Sequence, residues 1–209
     1  ETNLFNSGIT IFDIGAQSTA PKSKCISMGE EIQRFSSLLI PLLRDETFKN
    51  IFSNCHLSVD TYRVDTFMYI KNELDKNGIS PISLIWNDVS GNLDKDVIDI
   101  LKLPNIGYVF SHNLAPSRDE TPNHLKYTTD VTDEIFFASV IDFFKKRLSI
   151  VPESLQHKVI IDPCFGFSKN YKQKYLLLNQ LDTLIDALSY NYPLMIGISR
   201  KSFLKNLVN

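Results

Sequence analysis

Four polar residues stand out by type and position. Asp60, Asn87, Asp162 and Lys201 each lie at, or a few residues past, the C-terminal end of a short apolar, β-branched run. A carboxylate can accept two N–H bonds from a flat amino-pyrimidinone ring. An Asn amide supplies one donor and one acceptor to the same kind of edge, and a Lys donates to a ring carbonyl or nitrogen. The set suits a polar heterocycle such as a pterin, with apolar residues covering its faces. Taken singly, a strand-end Asp is more often a helix cap or turn former than a site; one shared pocket accounts for all four residues.

Two further segments carry chemistry. Ser199-Arg200-Lys201-Ser202 lies between an apolar run and a helix start at Phe203. Free backbone N–H groups and the helix dipole attract anions there, so a carboxylate or phosphate is the natural guest, and a plain basic cap is the competing reading. Asp162-Pro163-Cys164-Phe165-Gly166-Phe167 sets two aromatics on a Gly-containing loop. That loop either bends over a bound ring or packs Phe165 and Phe167 beneath itself. His56, His112, His124 and His157 show no metal-ligand spacing, which argues against zinc. His112 ends a run and reads either as pocket lining or as a structural residue. No Ser-His-Asp or Cys-His pairing emerges. Cys25, Cys55 and Cys164 are odd in number and widely spaced, which suits a reducing compartment and excludes a disulfide scaffold or a CxxC site.

The elements that must position these groups alternate in kind. Apolar runs recur at Ile9–Ile14, His56–Val59, Ile82–Trp86, Ile106–Phe110, Val159–Ile161 and Leu194–Ile198, each read as a strand buried on both faces. Between them lie helical stripes. Met28, Ile32, Phe35, Leu39 and Leu42 share one face, with Ser27 and Glu30 as a capping box and Glu30, Glu31, Gln33 and Arg34 on or near the polar side. Val64, Phe67, Met68 and Leu74 form a second stripe that Gly78 ends, and Ile135, Phe136, Ser139, Val140, Phe143 and Phe144 a third. Leu177, Leu178, Leu181, Leu184, Ile185 and Leu188 form a fourth, and Asp94–Leu101 is a shorter candidate. Asn113–Asp130, with Pro116 and Pro122, reads as a surface loop.

Such alternation predicts a parallel α/β sheet in one domain, residues 1–209. A doubly wound nucleotide-binding sheet usually shows a Gly-rich phosphate loop after its first strand, and Asp13-Ile14-Gly15-Ala16-Gln17-Ser18-Thr19 has none. Polar groups instead follow every strand, as at the C-terminal mouth of a (β/α)8 barrel. Six strands fall short of eight, and the expectation is a barrel cut before its first strand and after its last. The 209 residues carry 22 Lys plus Arg against 24 Asp plus Glu, a net charge of −2. That balance speaks against a nucleic-acid binder. No apolar run reaches membrane-span length, and the sequence opens without signal-peptide character.

Five segments together resemble one family. Asp13-Ile14-Gly15-Ala16-Gln17-Ser18-Thr19-Ala20-Pro21, Ser58-Val59-Asp60-Thr61, Asn87-Asp88-Val89-Ser90-Gly91, Asp162–Phe167 and Ser199–Ser202 appear in the order and spacing of dihydropteroate synthases. The last two separate that family from its pterin-binding methyltransferase cousins. The resemblance implies a TIM barrel, usually a homodimer, joining 6-hydroxymethyl-7,8-dihydropterin pyrophosphate to p-aminobenzoate with release of pyrophosphate in folate synthesis. By motif match Asp60, Asn87, Asp162 and Lys201 hold the pterin, with Asp60, Asp162 and Lys201 serving the chemistry. Thr19 faces the pyrophosphate. Pro21, Phe167 and Ser202 receive the p-aminobenzoate. Asp13 and Arg200 support the site. The family is a sulfonamide target, uses Mg2+ held on the strand expected ahead of this chain, and is cytoplasmic, or organellar in eukaryotes. Some members carry a fused pterin pyrophosphokinase domain. Departures from the family pattern are Ala16 for a second glycine, Ala20 for an arginine, Asn113 for a methionine over the pterin and Cys164 for a glycine. These keep two rivals in view, a pterin-dependent methyltransferase and a pterin binder without turnover.

Overall fold

The computed structural model describes residues 10–20, 23–188, 192–199, 201, 203 and 204. Five strands are present: β1 (Ile11–Gly15), β2 (His56–Asp60), β3 (Ser83–Asp88), β4 (Ile106–Ser111) and β5 (Val159–Asp162). All pair in parallel, in the order β1-β2-β3-β4-β5. Each strand therefore lies beside its successor. A doubly wound sheet reverses direction partway, whereas a barrel winds one way, so this order is the barrel's. The predicted sixth strand is reduced to one parallel bridge between Ile161 and Leu194. Ile161 N–H donates to Pro193 O at 2.9 Å and Met195 N–H to Ile161 O at 2.8 Å. Among the described residues the sheet does not close.

Strand side chains alternate between two faces. Leu57, Val59, Leu84, Trp86, Tyr108, Phe110, Val159 and Ile161 point towards the helices and form the core with Phe35, Phe67, Phe136 and Phe144. Phe67 stacks on Trp86 at 5.2 Å. The other face, with Ser58, Asp60, Ile85, Asn87, Ile160 and Asp162, is the barrel interior. The main helices are α1 (Met28–Leu43), α2 (Glu46–Ser53), α3 (Val64–Lys76), α4 (Lys95–Leu101), α5 (Asp133–Leu148), α6 (Glu153–Gln156), α7 (Tyr171–Asn179) and α8 (Leu181–Ala187). No helix among the described residues is long and apolar enough to cross a membrane.

Several expectations are corrected here. On α1 the buried residues are Glu31, Phe35, Leu39 and Leu43, an i, i+4 line rotated from the predicted stripe, and Met28 is exposed. Glu31, expected on the polar side, is 1% exposed because three donors meet it, as described below. Ser27 caps the Glu30 N–H at 3.1 Å, but the Glu30 carboxylate pairs with Arg34 at 2.7 Å instead of closing a capping box. The fourth stripe is two helices, α7 and α8, because Gln180 between them leaves helical geometry (φ −116°, ψ 24°). Asn113–Asp130 is no plain surface loop. It holds a 3-10 stretch, Arg118–Tyr127, in which Thr121 and His124 are buried. Arg118 ion-pairs with the fully buried Asp88 on the helix side of β3, and Tyr108 Oη–H donates to the same carboxylate at 2.9 Å. A buried carboxylate with those partners pulls the segment inward.

Candidate active site

The parallel register sets the strand ends side by side. Gly15 aligns with Asp60, Asp60 with Asn87, and Ser111 with Asp162. Strand parity then puts Asp60, Asn87 and Asp162 on the interior face, while Asp88, one residue beyond Asn87, turns outward to Arg118. Asn87 Nδ2–H donates to Asp13 Oδ1 at 3.3 Å. Its buried Oδ1 has no partner, an acceptor left open in a place where acceptors are normally satisfied. Asp162 Oδ1 accepts the Cys164 N–H at 2.7 Å, which starts the loop. Burial pushes the Asp162 carboxyl up, and the Cys164 N–H, Lys169 and Lys201 counter it. Asp60 is pushed up to about 7. Burial is the main cause; Asp13, Glu31 and Asp88 add to it, and Lys201 opposes it.

At Asp60 opens a cleft of about 500 Å³, which neither Asn87 nor Asp162 lines. It is lined by Gln17, Ser18, Thr19, Ala20, Asp60, Phe165, Gly166, Phe167, Lys174, Lys201 and Phe203. The β1 loop is fixed by a buried cluster: Arg63 Nη1 donates to Gln17 Oε1 and to Glu31 Oε2, both at 2.8 Å. Thr61 and Thr66 hydroxyls donate to the two Glu31 oxygens at 2.9 and 2.7 Å. Lys201 lies flat against the β5 loop. A side chain at position 166 would begin 3.0 Å from Lys201 Nζ, so Gly166 gives the ammonium its place.

The β5 loop is shaped by a residue that sequence reasoning missed. Lys169 is 2% exposed and meets no carboxylate. Its Nζ donates to the carbonyls of Cys164 (3.0 Å), Phe167 (3.1 Å) and His112 (3.2 Å) and lies 2.8 Å from His112 Nδ1. Burial lowers it to about 8. Lys169 thus clamps the β5 loop to the end of β4. His112 resolves to the structural reading, 1% exposed and 4.6 Å from the Phe143 ring. The only sequence signal for Lys169 is its place just before Asn170, whose capping box with Gln173 opens α7. The clamp holds Cys164 at φ 53°, the left-handed region where a glycine would be unstrained.

Each remaining predicted residue can now be placed. Thr19 and Ala20 line the cleft. Phe167 lines the cleft and packs on His124 at 4.3 Å. Phe165 is buried and stacks on Phe203 at 5.9 Å. Asp13 meets Asn87. Asn113 faces no open space; its amide bridges Val89 O (2.8 Å), Ala115 N–H (3.0 Å) and the Ser168 hydroxyl (3.2 Å). Pro21, Arg200 and Ser202 lie outside the described residues. Among the described residues no group of three His, Cys, Asp or Glu stands together to hold a metal ion, so these residues alone build no magnesium site.

The arrangement can read the polar edge of a flat ring at Asp60, Asn87 and Asp162, cover it with Lys201 and aromatics, and receive an anion at its basic side. The family model described as pterin binding enzyme matches residues 2–209. The dihydropteroate synthase of Synechocystis is 27% identical over 99% of this chain. The folate synthesis bifunctional protein of Arabidopsis thaliana is 29% identical over 98%. The chain spans 64% and 41% of those two relatives' lengths. A crystal structure of Burkholderia cenocepacia dihydropteroate synthase complexed with 7,8-dihydropteroate superposes with a TM-score of 0.70 at 25% identity, covering 99% of this chain and 68% of that one.

Proposed function

The chain belongs to the pterin binding enzyme family, and on that premise we propose that the protein is a dihydropteroate synthase acting in folate synthesis. It would condense 6-hydroxymethyl-7,8-dihydropterin pyrophosphate with p-aminobenzoate. The observation that carries this reading is the open Asn87 Oδ1 at the end of β3, with Asp60 ending the neighbouring β2 and Asp162 ending β5 on the same face. An amino-pyrimidinone edge brings the N–H donors that such a row of acceptors lacks. The named relatives support the same reaction.

In the reaction the methylene C–O bond breaks and its electron pair leaves with pyrophosphate. The pterin methylene is left as a cation, which Asp60 and Asp162 stabilise through the ring they hold. The aniline nitrogen then attacks, forms the C–N bond and loses its proton to solvent. No covalent enzyme intermediate and no strong base are required. Lys201 lies over the ring position and Thr19 faces the departing group. We also propose that Mg2+ accompanies the pyrophosphate, bound through the substrate's own oxygens; no step here is routed through it. A fused second activity remains part of the proposal, supported by the bifunctional name of the Arabidopsis relative.

The test is turnover by the full-length protein, with dihydropteroate read by mass. Product that disappears in Asp162→Asn, with pterin affinity falling about tenfold or more for loss of a charged acceptor, is the expected result. Pterin binding without product would overturn the synthase reading. Full activity in Asp162→Asn would overturn the assignment of the ring site.

A further inference from the structure

We propose that Lys174 is a specificity-determining residue that holds the carboxylate of the aromatic amine substrate, an inference that rests on the synthase reading and deepens it. Lys174 lies in the first turns of α7 and lines the cleft with Thr19, Ala20, Phe167, Lys201 and Phe203. Among the described residues it makes no ion pair; its one assigned contact is its ammonium over the Tyr171 ring, 5.0 Å from the centroid. An unpaired, half-buried cation facing a cleft is a site waiting for an anion.

The backbone around it is held on both sides. Gln173 is buried, closes the capping box with Asn170 and donates to Thr129 O at 2.7 Å. Tyr175 Oη–H donates to Phe203 O, and its ring meets the Phe203 ring at 5.6 Å. Phe165 stacks on the other side of Phe203. Lys174 is therefore fixed beside the same short segment that carries Lys201.

The two lysines divide the cleft between them. Lys201 acts on both Asp60 and Asp162. Lys174 acts on Lys169 and His124, and burial and Lys201 lower its own proton affinity. Lys201 thus belongs to the ring-reading end, and Lys174 lies towards the pair formed by His124 and Phe167. A benzoate whose amine points at the pterin methylene puts its carboxylate away from Asp60, past the aromatic wall. That is where Lys174 stands. Ammonium and carboxylate then form a charge-assisted hydrogen bond in a partly dehydrated cleft.

The experiment uses the full-length protein, Lys174→Gln and Lys174→Arg, with p-aminobenzoate and aniline as alternative amines. The carboxylate is the difference between the two amines, so only a residue that touches it changes their ratio. Lys174→Gln should raise the p-aminobenzoate KM about tenfold or more, leave the aniline rate within twofold, and keep the pterin pyrophosphate KM. Lys174→Arg should restore most of the p-aminobenzoate KM. An equal fall with both amines would make Lys174 structural and overturn the proposal, as would an unchanged p-aminobenzoate KM. A weakened affinity for inorganic pyrophosphate in Lys174→Gln, with p-aminobenzoate binding intact, would move the residue to the other anion and overturn it too. Calorimetric binding of p-aminobenzoate, with pyrophosphate present, is read in parallel. If the parent protein makes no product, the synthase reading falls, and equal p-aminobenzoate affinity in parent and Lys174→Gln then overturns this inference separately.

Discussion

Asp60 should make the unliganded protein lose stability as pH rises, and Asp60→Asn should abolish that loss. The carboxyl is carried from an ordinary 3.8 to about 7 in the folded state, by burial first and then by Asp13, Glu31 and Asp88, against Lys201. Between those values the folded state holds a proton that the unfolded state has released. Stability therefore falls with rising pH across that window, and the full cost is present above about pH 7. Each pH unit of displacement corresponds to about 1.4 kcal/mol, so the cost is about 4 kcal/mol before local relaxation. Solvent reaching the cleft reduces it to about 2 kcal/mol. For a domain of this size that is roughly 4–8 °C in Tm. The assay is thermal unfolding of parent and Asp60→Asn at pH 5 and pH 8. The variant should melt higher at both pH values, and its lead should grow from pH 5, where about a third of the cost is already present, to pH 8, where nearly all of it is. A gap of equal size at both pH values would refute the reasoning, because it would mean Asp60 is not protonated in the fold. Pterin binding should reverse the sign locally. Ring N–H donors favour the carboxylate, so binding of 6-hydroxymethylpterin should release a proton near neutrality and strengthen from pH 5.5 to 7.5. Calorimetry in buffers of different ionisation enthalpy reads that proton.

Arg118→Met should destabilise the protein by about 3 kcal/mol in urea unfolding, since it strands the fully buried Asp88 carboxylate. Adding Asp88→Asn to it should recover part of that loss, and equal stability of single and double variants would show the pair is not the source. Lys169→Met should speed amide exchange at the β5 loop, especially at Phe167, and weaken pterin affinity while leaving α3 protected. Because Lys169 sits near 8 when folded, the parent should also gain stability relative to this variant between about pH 8 and pH 10, as the unfolded lysine alone still binds its proton. Unchanged exchange at the loop would remove Lys169 as the clamp.

What the sequence made legible was whatever depended on local order. Strand runs, the polar residue ending each, and the direction of winding all follow from period and punctuation, and these assign Asp60, Asn87 and Asp162 to strand ends. What stayed hidden depended on partners distant in sequence. Glu31 reads as a surface residue on a helical wheel; only Thr61, Thr66 and Arg63, arriving from the next strand and helix, make its burial tolerable. Lys169 has no periodic signature, because its acceptors are three carbonyls on two loops. Asn113 looked like a substitution facing the ligand, yet its amide joins the β3 and β5 loops. Lys174 is the sharpest case. On a stripe of leucines it reads as one polar residue among several, and its place in the cleft with no ion pair among the described residues is a property of the fold alone. The same physics explains both outcomes: backbone periodicity is written in neighbours, whereas burying a charge requires satisfaction from wherever the chain returns. A motif such as Asp162–Phe167 therefore marks the site, and the charged residues that surround it, Lys169 and Lys174, must be found by asking what each buried or unpaired charge is facing.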